Sequence, residues 1–148
     1  MKVVAIIQAR MSSTRLLGKV LKTASGRTML DRMLERVRQA ATVDQVIVAT
    51  TIDPSDDGLV RACRRYGAEV FRGSLPDVLD RYYQAALTHQ ADIIVRITAD
   101  CPLIDPGERC AVTEYSPRSC ATITTLPQFW ATFISPGRLS RMPSTTRI

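Results

Sequence analysis

Histidine is nearly absent from this 148-residue chain: His89 is the only one. That leaves zinc coordination and Ser-His or Cys-His catalysis without support. The four cysteines, Cys63, Cys101, Cys110 and Cys120, form no C-x-x-C pair and no metal-ligand spacing, so they read as reduced, structural thiols. Aromatic residues make up 5% of the chain and basic residues form no long run. Polymeric nucleic acid is therefore not the expected partner, despite a net charge of +6. No apolar run approaches the roughly 20 residues of a membrane span. The opening "MKVVAIIQAR" is interrupted by Gln8 and Arg10 and reads as a first strand rather than a signal peptide. A cytoplasmic location is the default expectation. Glycine is sparse, with no G-x-G-x-x-G fingerprint. The Gly18-Lys19 pair is not a Walker A loop, because the motif's first glycine would fall on Ser13.

What is present is alternation. The hydrophobic fraction of 45% and charged fraction of 23% suit a globular domain with a real core. "KVVAII" is an apolar, β-branched run of the kind buried on both faces of a sheet. "TMLDRMLERVRQAA" puts Met29, Leu30, Met33, Leu34 and Val37 on one helical stripe. "QVIVATT" is a second strand. "DPSDDGLVRACRRYG" is a helix capped by Asp53 or Ser55 and ended by Gly67. "AEVFRG" is a short strand, "LPDVLDRYYQAALTHQ" a third helix, and "ADIIVRIT" a fourth strand. The order β-α-β-α-β-α-β predicts an α/β fold: a parallel, Rossmann-like, three-layer sheet with helices on both faces.

Two segments carry chemistry. In "QARMSSTRLLGK", Arg10, Arg15 and Lys19 surround the hydroxyls of Ser12, Ser13 and Thr14, directly after the first strand. Ligands of open parallel sheets bind outside the carboxyl ends of the strands, and cations with hydroxyls there suit a polyphosphate. In "RITADCPLIDP", Asp100 leaves the carboxyl end of the fourth strand beside the same crevice. A carboxylate facing phosphate needs a cation between them, and Mg²⁺ is the expected one. Asp105, followed by Pro106, reads as a helix-starting residue. Arg96 either faces the crevice or pairs with a carboxylate.

Four motifs in order, "IIQARMSSTRLLGKVL", "VIVATTIDPSDD", "VFRGSLPDVLDRYYQAA" and "IIVRITADCPLIDP", resemble the cytidylyltransferase-like proteins of the spore coat polysaccharide biosynthesis F type. These are relatives of the enzymes that make CMP-activated sialic acid and CMP-Kdo. The resemblance covers about residues 1–107. It implies a fold of the nucleotide-diphospho-sugar transferase (glycosyltransferase-A) kind and cytidylyl transfer from CTP to a sugar acceptor, with Mg²⁺. The residues themselves offer no candidate general base, and metal activation of the acceptor oxygen is one way to do without it. By position it makes Arg10 and Lys19 the triphosphate clamp, assisted by Arg15, and Asp100 the metal-binding acid. Ala49-Thr50-Thr51 and Gly73-Ser74 look like walls of the base pocket, and Gln8 approaches the base or ribose. Asp77 and Arg81 match the helix after the base loop, where an i, i+4 ion pair is the equal alternative. A homodimer is an open expectation.

The chain departs from the family's pattern at Leu17, where a proline is usual, and at Ala99, where a glycine is usual before the acid. Residues 108–148 do not resemble the family. They hold five Ser, seven Thr and four Pro, and show no sustained helical or strand period, as an out-of-frame tail would. Within them "CATITTL" reads as a strand and "QFWATFI" as a buried segment. A domain over 1–107 and an irregular, less tightly packed tail over 108–148 are the expectation. Two rival functions follow: a nucleotide-binding module lacking the acceptor lobe, and a nucleotide-sugar glycosyltransferase. The second would show a D-x-D motif where this chain has Thr98-Ala99-Asp100.

Overall fold

A computed structural model describes residues 1–13, 16–100, 102–104, 124–126 and 129–131. The elements in chain order are β1 (Val3–Gln8), β2 (Thr23–Ala24), β3 (Arg27–Thr28), α1 (Met29–Arg38), β4 (Gln45–Thr51), α2 (Asp57–Arg65), β5 (Glu69–Gly73), α3 (Val78–Thr88), β6 (Ile93–Thr98), β7 (Thr124–Leu126) and β8 (Phe129–Ala131). Single 3-10 turns cover Lys19–Leu21 and Pro54–Asp56. The four expected strands form one parallel sheet in the order β5-β4-β1-β6.

Strand β1 sits in the middle, and its side chains alternate between two cores. Val3, Ala5 and Ile7 face α1 and α2, packing with Leu30, Met33, Leu34, Val37, Leu59 and Cys63. Val4 and Ile6 face α3, packing with Tyr82, Ala85 and Ala86. A strand buried on both faces must be apolar throughout, which is why "VVAII" shows no alternation. The chain therefore covers one face with its first two helices and crosses to the other with the third. The strand order reverses between β1 and β6, and a crevice opens at such a point.

Local signals explain the helix limits. Thr28 caps α1, its hydroxyl accepting from Asp31 N at 3.1 Å. Helix α2 ends in a Schellman motif: Gly67 has φ 61°, Ala68 N donates to Cys63 O at 2.9 Å, and Gly67 N donates to Arg64 O at 3.1 Å. Asp53 caps the preceding 3-10 turn through Ser55 N rather than α2 itself. Helix α3 begins at Asp77, whose side chain accepts from Asp80 N at 2.8 Å. Cys63 is buried on the core face of α2, and burial pushes its thiol up to about 12, so it is inert as a nucleophile. No helix among the described residues is long and apolar enough to cross a membrane.

Beyond residue 104, β7 and β8 pair antiparallel within the segments expected to hold a strand and a buried stretch, and β8 lies against β6. The cap expected at Asp105 and the rest of 108–148 lie outside the described residues.

Leu34 is fully buried at the centre of the α1-side core. Leu34→Ala is expected to destabilise the domain by about 2–5 kcal/mol, measured by urea unfolding.

Candidate functional site

The site is built where β1, β4, β5 and β6 end. Register puts Gln8 level with Ala49 on one side and Thr98 on the other. Ala9 N continues to Ala49 O and Ala99 N to Gln8 O, each at 3.0 Å. The residues that follow, Arg10 and Asp100, therefore leave adjacent strands at one edge.

The loop after β1 turns back on itself. The Met11 carbonyl accepts from Ser13 N at 2.9 Å and from Gly18 N at 3.0 Å. Gly18 has φ 64°, and a Cβ there would meet Met11 Cε at 3.2 Å, so the turn suits glycine. Leu17, in the usual proline position, is three-quarters exposed. The 3-10 turn that follows buries Val20 in the core, and this anchors its neighbour Lys19 at the crevice. Lys19 Nζ donates to Asp100 Oδ2 at 3.0 Å, joining the two segments picked out by sequence. Both groups are at least a third exposed, so the contact contributes about 0–1 kcal/mol. The Thr98 hydroxyl first, and Lys19 next, hold the Asp100 carboxyl below its usual range against the opposing effect of partial burial.

Ala99 is buried, and its φ is not positive. The strain that its methyl would cause in a left-handed backbone is therefore absent. Arg10 is exposed. Arg15 lies outside the described residues.

On the other side of β1, the organising group is one that sequence reasoning passed over. Asp56 is 1% exposed and makes no ion pair among the described residues. Its Oδ1 accepts from Met11 N at 2.7 Å. Its Oδ2 accepts from the Thr50 hydroxyl at 2.9 Å, from Thr51 N at 3.1 Å, and from the Thr51 hydroxyl. One carboxylate thus ties the loop after β1 to the end of β4. Burial alone would raise its pKa, but the bonds from Met11, Thr51 and Thr50 outweigh burial and hold it below the usual range. The Thr50 hydroxyl, expected at a base pocket, is committed to Asp56. The only sequence signal for Asp56 was its place among the three acids of "DPSDD" at the helix start, where it reads as a charge at a helix N-terminus.

The wall from β5 is equally fixed. Gly73 O accepts from Ile52 N at 3.1 Å, and the Ser74 hydroxyl accepts from Asp77 N at 3.2 Å. Arg72 clamps the β4–α2 loop through Thr51 O at 2.9 Å, Asp53 O at 3.0 Å and Asp57 Oδ1 at 2.8 Å. Arg81 does not form the ion pair with Asp77. Asp77 is occupied as the α3 cap, and the Arg81 guanidinium is fully buried on backbone carbonyls instead. Arg96 lies over the Tyr82 ring, 5.1 Å from its centroid, and makes no ion pair among the described residues.

Gln8, Arg10, Ser13, Lys19, Thr50, Gly73, Ser74 and Asp100 therefore lie on the loops and strand ends of one sheet edge, Thr50 with its side chain buried against Asp56. A model of the cytidylyltransferase family matches residues 4–122. The chain belongs to that family. The spore coat polysaccharide biosynthesis protein SpsF of Bacillus subtilis is 43% identical over 105 residues, covering 68% of this chain and 44% of that protein. The structure of a cytidylyltransferase from Leptospira borgpetersenii is 35% identical with a TM-score of 0.85, covering 100% of this chain and 66% of that one. The structure of CMP:2-keto-3-deoxy-manno-octonic acid synthetase complexed with CTP is 29% identical with a TM-score of 0.69, covering 77% of this chain and 46% of that one. The chain spans less than half the length of the curated relatives it matches.

Among the described residues no three His, Cys, Asp or Glu side chains are gathered as a metal cage. Among the described residues Asp100 is the carboxylate beside the Lys19 ammonium at this edge, and that cation already rests on it. A single carboxylate completed by phosphate oxygens and water suits Mg²⁺, so the donor set fits.

Because the folded-state pKa of Asp56 is depressed, its contribution to stability is present above the unfolded value near 4 and is lost as pH falls through the folded value. Asp56→Asn, which offers an amide where four donors converge, is expected to cost about 1–3 kcal/mol at pH 7. The gap to wild type should close towards pH 3 in urea titrations. A gap independent of pH contradicts the ionised state of Asp56.

Proposed function

We propose that this chain supplies the nucleotide side of a cytidylyl transfer from CTP to a sugar, in the biosynthesis of a surface polysaccharide or glycan. The observation that carries the reading is the meeting of Lys19 and Asp100 at 3.0 Å at the carboxyl edge of the sheet. It brings a phosphate-binding cation and a cation-binding acid to one place.

In this reading Arg10 and Lys19, with Arg15, hold the triphosphate, while Ser13 and the loop closed by Met11 O keep the phosphates at the mouth of β1. Thr50, Gly73 and Ser74 form the base wall, and Gln8 lies beneath the ribose or base. The sugar oxygen forms a bond to the α-phosphorus as the bond from that phosphorus to the bridging oxygen breaks. Pyrophosphate leaves with its electron pair, and the sugar hydroxyl proton passes to solvent. Such a displacement needs positioning and charge neutralisation more than a protein nucleophile. Mg²⁺ held by Asp100 would neutralise phosphate charge and lower the pKa of an attacking hydroxyl. When the triphosphate arrives, Lys19 exchanges the Asp100 carboxylate for phosphate oxygens. The weak, exposed pair described above costs little to break.

Calorimetry tests this directly. Lys19→Ala is expected to weaken CTP by about 1.5–3 kcal/mol while leaving cytidine nearly unchanged. Asp100→Asn is expected to abolish the dependence of CTP binding on Mg²⁺. Equal losses for CTP and cytidine, or an unchanged Mg²⁺ dependence, contradict the assignment.

A further inference from the structure

The groups that hold the base wall point to a role for Arg81 that rests on the nucleotide reading above. Arg81 lies in the first turn of α3 and is fully buried. Its Nε and Nη2 donate to Ser74 O at 3.0 and 2.6 Å, and Nη2 also donates to Leu75 O at 3.2 Å. It has no carboxylate partner among the described residues, and its Nη1 is buried without an acceptor there. Burial first, and the charge of Arg10 second, push its pKa down. A buried, unpaired cation is costly, and an apolar side chain would stabilise the same helix more cheaply. Packing alone does not account for it.

What the guanidinium does is fix peptide planes. Gly73 O is held by Ile52 N, and Ser74 O and Leu75 O are held by Arg81, so three consecutive carbonyls are turned into the protein. No peptide bond is cis. In a trans peptide the C=O and N–H point in opposite directions. The amides of Ser74 and Leu75 therefore point away from Ile52 and Arg81. Neither donates to an acceptor among the described residues. The close approach that permits this is built in at Gly73. A Cβ there would lie 2.9 Å from Arg81 Cγ and 3.0 Å from Phe71 Cε1.

We propose that Arg81 is the positioning residue of the base wall: it presents the Ser74 and Leu75 amides as two adjacent donors, and these favour cytosine over uracil. Cytosine carries two neighbouring acceptors, O2 and N3. In uracil N3 carries a hydrogen, so one of the two donors would face a donor. A site built to give a hydrogen bond discriminates strongly against a ligand that cannot accept it. Lysine cannot reproduce the grip, because a point ammonium lacks the planar fork that spans two carbonyls.

The test compares Kd values for CTP and UTP in wild type, Arg81→Lys and Leu34→Ala, with amide hydrogen exchange of the nucleotide-free proteins alongside. Wild type should prefer CTP by at least about tenfold. Arg81→Lys should cut that preference about tenfold and speed exchange at Ser74 and Leu75. Leu34→Ala, destabilised but remote, should keep the preference. Should Arg81→Lys not fold, Gly73→Ala displaces the same loop with the cation retained and should also erode the preference. A preference unchanged in Arg81→Lys, or lost equally in Leu34→Ala, overturns the proposal. Equal binding of CTP and UTP by wild type overturns it while leaving the nucleotide reading intact. A wild type that binds neither nucleotide removes both.

Discussion

Everything at the crevice depends on the register of β1. This strand is buried on both faces and pairs in parallel with β4 on one side and β6 on the other. A slip of one residue would exchange its two faces, driving Val4 and Ile6 into the space shaped for Val3, Ala5 and Ile7. Apolar packing therefore fixes the register, and the register decides that residues 8–10, 49–51 and 98–100 end at the same level. The polar groups do not assemble themselves. Lys19 and Asp100 attract each other too weakly to bring two segments 81 residues apart into contact.

The edge has a stiff half and a yielding half, and their chemistry differs accordingly. Around the base wall the charged side chains are spent on the protein's own groups, which leaves the Ser74 and Leu75 amides without an acceptor among the described residues. Asp56 is saturated by four donors, Arg72 clamps the β4–α2 loop, and Arg81 holds two carbonyls of the β5–α3 loop. Rigid walls of this kind suit recognition of a flat ring whose edge must be matched atom by atom. The phosphate side is different. Arg10, Lys19 and Asp100 are solvated or partly so, and the Lys19–Asp100 ion pair is cheap to open. Flexible charged groups suit a triphosphate, whose oxygens offer many equivalent acceptors.

The sheet was legible because its strands are β-branched runs with no competing period, and because helix signals are local. Thr28 before Met29 and Gly67 after Arg65 mark their helix ends in sequence as they do in structure. The Ser25-Gly26 turn of the β2–β3 hairpin, with φ 51° and 77°, carried the composition of a tight hairpin but lay between strands of only two residues each, too short to show a pattern. The placement of Arg10, Lys19 and Asp100 at one edge of the sheet followed from strand ends alone. Asp56 and Arg81 did not. Asp56 is one of several acids near a helix start, and what distinguishes it is a bond to Met11 N, 45 residues away. Arg81 stands four residues after Asp77, the spacing of a surface ion pair, and only the capping bond of Asp77 to Asp80 N frees it to turn inward. The family model's match over residues 4–122 identifies the fold's relatives, but it does not show which of these polar groups face a ligand and which face the core.

The central claim is that the carboxyl edge of this sheet is a CTP site. Titration of the ¹⁵N-labelled chain with CTP and Mg²⁺, followed by amide chemical shifts, tests it most directly. The account predicts that the largest shifts fall on residues 8–13, 18–19, 49–51, 73–75 and 98–100, with the amino ends of the strands silent. Saturable shifts centred elsewhere, or none at millimolar CTP, would contradict it.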